Sequence, residues 1–144
     1  MEGESKVNPI SKIKKNNMNV QNFREYCLSL KGSHNKLAFK KSNSEYDKDI
    51  LVFSVADKWF AFANIEVFDF CNLKCDPEES LDLQDKYEGI VPAYHMNKKH
   101  WISVYFNKDV PDTKVKELIK KSYELVYGAL PKKLQDEISD CNQK

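Results

Sequence analysis

The residues best equipped for chemistry crowd into the middle of this 144-residue chain, where "EGIVPAYHMNKKHWISVYF" (residues 88–106) holds His95 and His100 around a lysine pair. Cys71 and Cys75 precede them at C-x-x-x-C spacing. Such donors could hold zinc, and a histidine could act as a general base. Strand spacing argues against the metal. Cys71, Leu73 and Cys75 would share one face with the two thiols about 13 Å apart, at roughly 3.3 Å per residue, so one ion cannot take both. A tetrahedral site needs four convergent donors, and no metal is expected. Tyr94, His95, Asn97 and His100 could gather around Pro92, yet the chain has no G-x-S-x-G, P-loop or H-E-x-x-H pattern. Four polar side chains on a turn first serve to hold that turn. The expectation is no catalytic residue, no cofactor and no enzyme.

Phosphate binding is the second chemistry on offer. Lysine pairs stand at Lys98–Lys99, Lys120–Lys121 and Lys132–Lys133, and Lys116 lies one helical turn before Lys120. Arg24 is the sole arginine. Lysine meets phosphate as a point charge, whereas bidentate reading of guanine is arginine's work, so contact with DNA would follow the backbone rather than the sequence. Charge is segregated along the chain: residues 1–41 carry +6, residues 42–93 carry −8, residues 94–133 carry +5 and residues 134–144 carry −2. A chain of net charge +1 can therefore still offer a basic face. The plainer reading of each lysine alone is a solvated surface residue.

These side chains must be positioned by elements that the pattern predicts. "MNVQNFREYCLSLKG" repeats apolar residues at three- and four-residue steps, with Asn19 as cap and Gly32 as stop. "KLAFK", "ILVFSV", "KWFAFANI" and "FDFCNLKC" read as an antiparallel meander with tight turns at "ADK" and "EV". "DPEES" starts a helix ending near Gly89, with Asp76 as cap, Pro77 in the first position and Glu79 completing a capping box. "HWISVYF" returns as a strand, and a helix with the stripe Val115, Leu118, Ile119, Ser122, Val126 runs to Gly128. "LPKKLQDEI" gives a last short helix. The predicted fold is α+β: a two-layer domain with a mostly antiparallel sheet and its helices on one face. Period-two alternation places His100, Ile102, Val104 and Phe106 towards the helices. Trp101, Ser103 and Tyr105 fall on the other face, where Trp101 and Tyr105 could stack on bases unless the chain covers them.

Hydrophobic content of 41% suits one core. We expect a polar, flexible extension over residues 1–17, with Lys12, Lys14 and Lys15 as a basic cluster, one domain over 18–138, and a tail over 139–144. Apolar runs are too short to span a bilayer, and no signal-like apolar stretch opens the chain, so a cytoplasmic monomer off the membrane is expected. Cys27, Cys71, Cys75 and Cys141 lack framework spacing, which predicts free thiols.

Read together, "MNVQNFREYCLSLKG", "NLKCDPEES", "YEGIVPAYHMNKKHWISVYF" and "VPDTKVKELIKKSYELVYGALPKKL" resemble the MmcQ/YjbR family of small bacterial proteins, from about Met18 to Leu134. The resemblance implies a CyaY-like (frataxin-like) fold and a DNA-binding role in which strand hairpins form a double wing. By position it points to Lys74, Tyr94, His95, Met96, Asn97, Lys98, His100, Trp101, Lys132 and Lys133. The prolines usual after the family's first helix are missing, with Lys31 and Leu37 to Phe39 in their place.

Three functions follow as expectations. The first is DNA-backbone binding through Lys74, Lys98, Lys99, Lys116, Lys120, Lys132 and Lys133, with Trp101 and Tyr105 as stacking groups. The second is a protein- or small-ligand-binding module using the Pro92–Trp101 turn. A contiguous lysine strip favours the first, and interleaved charge the second. The third, by fold analogy alone, is iron binding on a Glu78, Glu79 and Asp82 ridge.

Overall fold

The computed structural model describes residues 18–93 and 96–140. The expected N-terminal extension with its lysine cluster, Tyr94, His95 and Cys141 lie outside the described residues. In order, the elements are α1 (Val20–Ser29), β1 (Ser33–Leu37), α2 (Glu45–Lys48), β2 (Ile50–Val55), β3 (Lys58–Asn64), β4 (Phe70–Lys74), α3 (Pro77–Lys86), β5 (Ile90–Pro92), β6 (Trp101–Tyr105), α4 (Asp112–Gly128) and α5 (Lys132–Asp140). The six strands form one antiparallel sheet ordered β1-β2-β3-β4-β6-β5. No helix among the described residues is long and apolar enough to cross a membrane.

Local chemistry sets most of the boundaries. The Asn19 side chain accepts from the Asn22 N–H at 2.8 Å and opens α1, and the Asp76 carboxylate accepts from the N–H groups of Glu78 and Glu79 to open α3. Glu79 does not close a capping box on this helix but ion-pairs with Lys121 of α4 at 2.7 Å. The "ADK" turn is a two-residue hairpin with Ala56 and Asp57 at φ 50° and 64°, the left-handed pair whose twist suits a type I′ connection. "EV" is no tight turn. Residues 65–69 form a longer loop, because the Asn64 side-chain oxygen Oδ1 gathers the N–H groups of Glu66 and Val67 at 2.8 Å. α3 ends at Lys86, α4 runs through Gly128 to a cap at Ala129, and α2 and β5 are too short to leave a periodic trace. β5 carries Pro92 on the sheet edge, where a missing N–H costs nothing.

Helices α1, α3 and α4 cover one sheet face, with Phe23, Phe53, Phe60, Leu73, Ile102 and Ile119 at the centre of that core. One irregularity governs the sheet. Phe53 pairs with Ala61 but Ser54 pairs with Trp59, so Phe60 is an extra, bulged residue. Both Phe60 and Ala61 consequently enter the helix-side core, and Trp59 and Phe62, three apart, both face the other way. β3 and β4 pair only from Ala61–Leu73 to Ala63–Cys71. At the next rung, Ser122 of α4 takes over: its fully buried hydroxyl donates to the Phe60 carbonyl at 2.5 Å and accepts from the Lys74 N–H at 2.8 Å.

Ser122→Ala leaves a carbonyl and an N–H without partners inside the protein, and should cost about 2–4 kcal/mol in urea unfolding. The Trp59 environment should change with it, because the bulge sets the facing of Trp59. A loss below about 0.5 kcal/mol would mean that the two strands close up and pair directly.

Candidate functional site

The face of the sheet turned away from α1, α3 and α4 carries a row formed by Lys36, Val52, Phe62, Asn72, Ser103 and Val91, one from each strand. Ile50 pairs with Asn64 and Phe70 with Tyr105 on one side of that row, while Ser54 pairs with Trp59 and Lys74 with Trp101 on the other. The chain from β1 to β2 folds onto this face. Its Phe39 meets the Trp59 ring edge-on at 5.9 Å, and the Asn64 amide donates to the Tyr46 carbonyl of α2 at 2.8 Å. From the opposite side, Met96 of the β5–β6 turn packs on the cluster of Val52, Phe62, Ala93 and Trp101.

Between these two covers lies a cleft of about 470 Å³. Six of its thirteen described lining residues are aromatic, Phe39, Tyr46, Trp59, Phe62, Phe70 and Tyr105, and Ile50 and Met96 add aliphatic surface. Trp59 stands edge-on to Phe62 at 5.7 Å, and Phe70 lies 4.8 Å from Tyr105. Asn72 and Ser103, cross-strand neighbours, make the polar floor, and the Ser103 hydroxyl donates to the Asn72 carbonyl oxygen at 2.5 Å. The Asn72 amide nitrogen is left with no protein partner among the described residues. Asp47 is the one charged side chain among the described lining residues. The Tyr46 hydroxyl is held above the ordinary tyrosine pKa by partial burial and by Asp69, Tyr105 and Asp47 nearby, so it stays a protonated donor through neutral and mildly alkaline pH.

The residues singled out in the sequence divide among several places. Tyr105 lines the cleft, as does Met96. Trp101 does face away from the helices, but with 7% exposure it is covered by the chain and is no open stacking platform. The Lys74 ammonium stands 5.9 Å from the Trp101 ring centroid. His100 is exposed, not inward: the Asn97 carbonyl accepts from both His100 and Trp101 N–H groups, which makes a tight turn and delays the strand to Trp101. Asn97 also accepts the Lys99 N–H on its side chain, fixing Lys98 and Lys99 on an exposed turn. Lys116 and Lys120 project from α4, on the helix layer, with the Lys116 ammonium 5.8 Å from the Tyr26 ring. Lys132 ion-pairs with Asp136 at 2.9 Å on α5, next to exposed Lys133. The seven lysines thus form no single strip: Lys74, Lys98 and Lys99 belong to the Trp101 end of the open face, and the others to the helix layer and α5.

Sequence reasoning missed Phe39, Tyr46, Trp59, Phe62, Phe70 and Asn72. Alternation in "FCNLK" could have placed Phe70 and Asn72 opposite Cys71 and Leu73. Trp59 and Phe62 have opposite parity, and only the bulge puts them together.

Among the described residues no three His, Cys, Asp or Glu side chains, Glu78, Glu79 and Asp82 included, are grouped as metal ligands would be. Cys71 lies within β4, and Cys75 follows its end, where the Cys75 N–H bonds the His100 carbonyl at 2.8 Å.

The YjbR family model matches residues 28–125 of this sequence. The chain belongs to the YjbR family. It is 41% identical over 88 residues to the uncharacterized protein YbdF of Escherichia coli O157:H7, covering 60% of this chain and 72% of that one. Against the uncharacterized protein YjbR of Escherichia coli K12, identity is 26% over 115 residues, covering 79% and 92%. The fold matches the crystal structure of Deinococcus radiodurans protein DR2400, a DUF419 domain, with TM-score 0.73 at 30% identity over 84% of this chain and 88% of that one. A Pseudomonas syringae protein of known crystal structure matches with TM-score 0.60 at 31% identity, over 76% and 99%. In this YjbR domain Met96 of the family-motif turn serves the structure twice, lining the cleft and packing on the cluster that holds Trp101.

The thiols are poorly placed for nucleophilic chemistry. Burial pushes Cys27 and Cys71 well above the ordinary thiol pKa. Cys75 moves from 9.0 to about 11, by burial first and then by Glu79 and Asp76. At pH 8, iodoacetamide should leave Cys27, Cys71 and Cys75 unmodified in the native protein and alkylate them in urea, read by peptide mass. The sign for stability follows: a thiol whose folded pKa is raised contributes fully below pH 9.0, and that contribution is lost as pH climbs through about 11 for Cys75. Rapid native alkylation of Cys71 would contradict the packing.

Proposed function

We propose that this YjbR-family protein is a non-enzymatic binding module and that the aromatic cleft on its open sheet face is the binding site. The observation that carries this is the cleft itself. A volume of about 470 Å³ lined by aromatic rings, with a few convergent polar groups on its floor, has the size and make-up of a small-molecule site, for which about 300–1,000 Å³ is usual. The charge pattern supports the same reading, since Lys121, Lys114 and Lys132 are paired with acids and the candidate lysines occupy different sides of the domain.

The chain has two tryptophans, Trp59 on the cleft and Trp101 beside it, which give two indole N–H signals in an NMR spectrum. Titration with benzimidazole, a compact aromatic probe, should shift the Trp59 signal and the Asn72 amide pair saturably at millimolar concentration, with smaller effects at Trp101. No saturable shift, or shifts centred on the helix layer, would sink the proposal.

Lys74, Lys98 and Lys99 support a second reading, as a short track for DNA phosphates at the Trp101 end of the open face. Three such contacts predict a slope of about −3 in log affinity against log salt. Lys98→Glu/Lys99→Glu should abolish binding to a duplex in low salt, and Lys116→Glu/Lys120→Glu should leave it intact. No duplex or single-strand binding in low salt ends this reading.

A further inference from the structure

Resting on the reading of the cleft as a ligand site, we infer that it selects flat nitrogen heterocycles that present a hydrogen-bond acceptor beside a donor on one ring edge, the lactam or amino-imine pattern, in uncharged or cationic form. The floor dictates the edge. Asn72 and Ser103 are directly opposed on β4 and β6, which sets their side chains next to each other at the bottom of the cleft. The Ser103 proton is committed to the Asn72 carbonyl oxygen, so Ser103 has only acceptor capacity left to offer, and the Asn72 amide nitrogen has only donors. Turning the amide over exchanges the two roles and still leaves one donor and one acceptor side by side. The floor therefore complements an acceptor–donor edge whichever way Asn72 points.

The walls dictate flatness and charge. Trp59 above Phe62, with Phe70 against Tyr105, offer ring faces and edges to a planar guest. Asp47 is the only charge among the described lining residues, and the nearest lysine on the cleft's floor strand, Lys74, directs its ammonium over Trp101 instead. An anionic ligand would meet like charge and no counter-ion among the described lining residues.

Four probes separate the terms in calorimetric or NMR titrations of the full chain. Hypoxanthine, with a lactam edge, should bind about tenfold more tightly than benzimidazole, a two-ring compound without that edge. Uracil should likewise exceed orotate, the same ring with an added carboxylate, by about tenfold. Asn72→Leu should bring hypoxanthine and benzimidazole to equal affinity, and Asn72→Asp, which keeps the shape and removes the donors, should also erase the preference. Equal binding of hypoxanthine and benzimidazole to the parent, retention of the preference in either folded variant, or orotate binding as tightly as uracil overturns the inference while the cleft remains a binding site. Binding of none of the four overturns both.

Discussion

The structure turns on one hydroxyl. Where β3 and β4 stop pairing directly, Ser122 stands between the Phe60 carbonyl and the Lys74 N–H and completes the rung from the helix layer. A buried carbonyl and a part-buried N–H that would otherwise carry a desolvation penalty are satisfied by a side chain from a different layer. That arrangement stabilises the bulge at Phe60, because a bulged carbonyl needs a partner the ladder cannot supply. It also pins α4 to the middle of the sheet, beside the ion pair that joins Lys121 to Glu79 of α3.

The binding face depends on the same irregularity. In a regular strand Trp59 and Phe62 would lie on opposite faces, one in the core and one outside. The extra residue sends Phe60 and Ala61 inward together and leaves both large rings on the open face, where Phe39 and the α2 segment wall them in. A hydroxyl on the helix side thus determines which aromatics are available on the far side. The opposite wall has its own anchor: the Asn97 turn lets Met96 and Ala93 close over Trp101, so the most conspicuous aromatic of the central motif becomes support for the cleft rather than its surface.

Charge follows the layers too. Among the described residues the segregation along the chain does not gather the lysines on one face, because those of α4 and α5 project from the helix side and α5, and several meet acids within a turn or across helices. Exposed pairs of this kind are worth little individually, and they dilute the field that a polyanion would sense.

By itself the sequence determined what short-range chemistry controls: the capped starts of α1 and α3, the Ala56–Asp57 hairpin, the buried stripe of α4 and the alternation that sends Trp101, Ser103 and Tyr105 away from the helices. Family membership was legible for the same reason, since the central motif is a contiguous string. Only the tertiary structure decided whether a face was open or covered, and which distant residues met there. Burial of Trp101, exposure of His100 and the meeting of Phe39, Trp59, Phe62 and Asn72 each depend on a bulge, a turn or a loop whose conformation is set by long-range partners. Ser122 shows the difference most clearly. Its place in an apolar stripe was visible in the sequence, but a lone hydroxyl there signals only that some buried group needs a partner, and which group it is becomes known when α4 lies on the gap between β3 and β4.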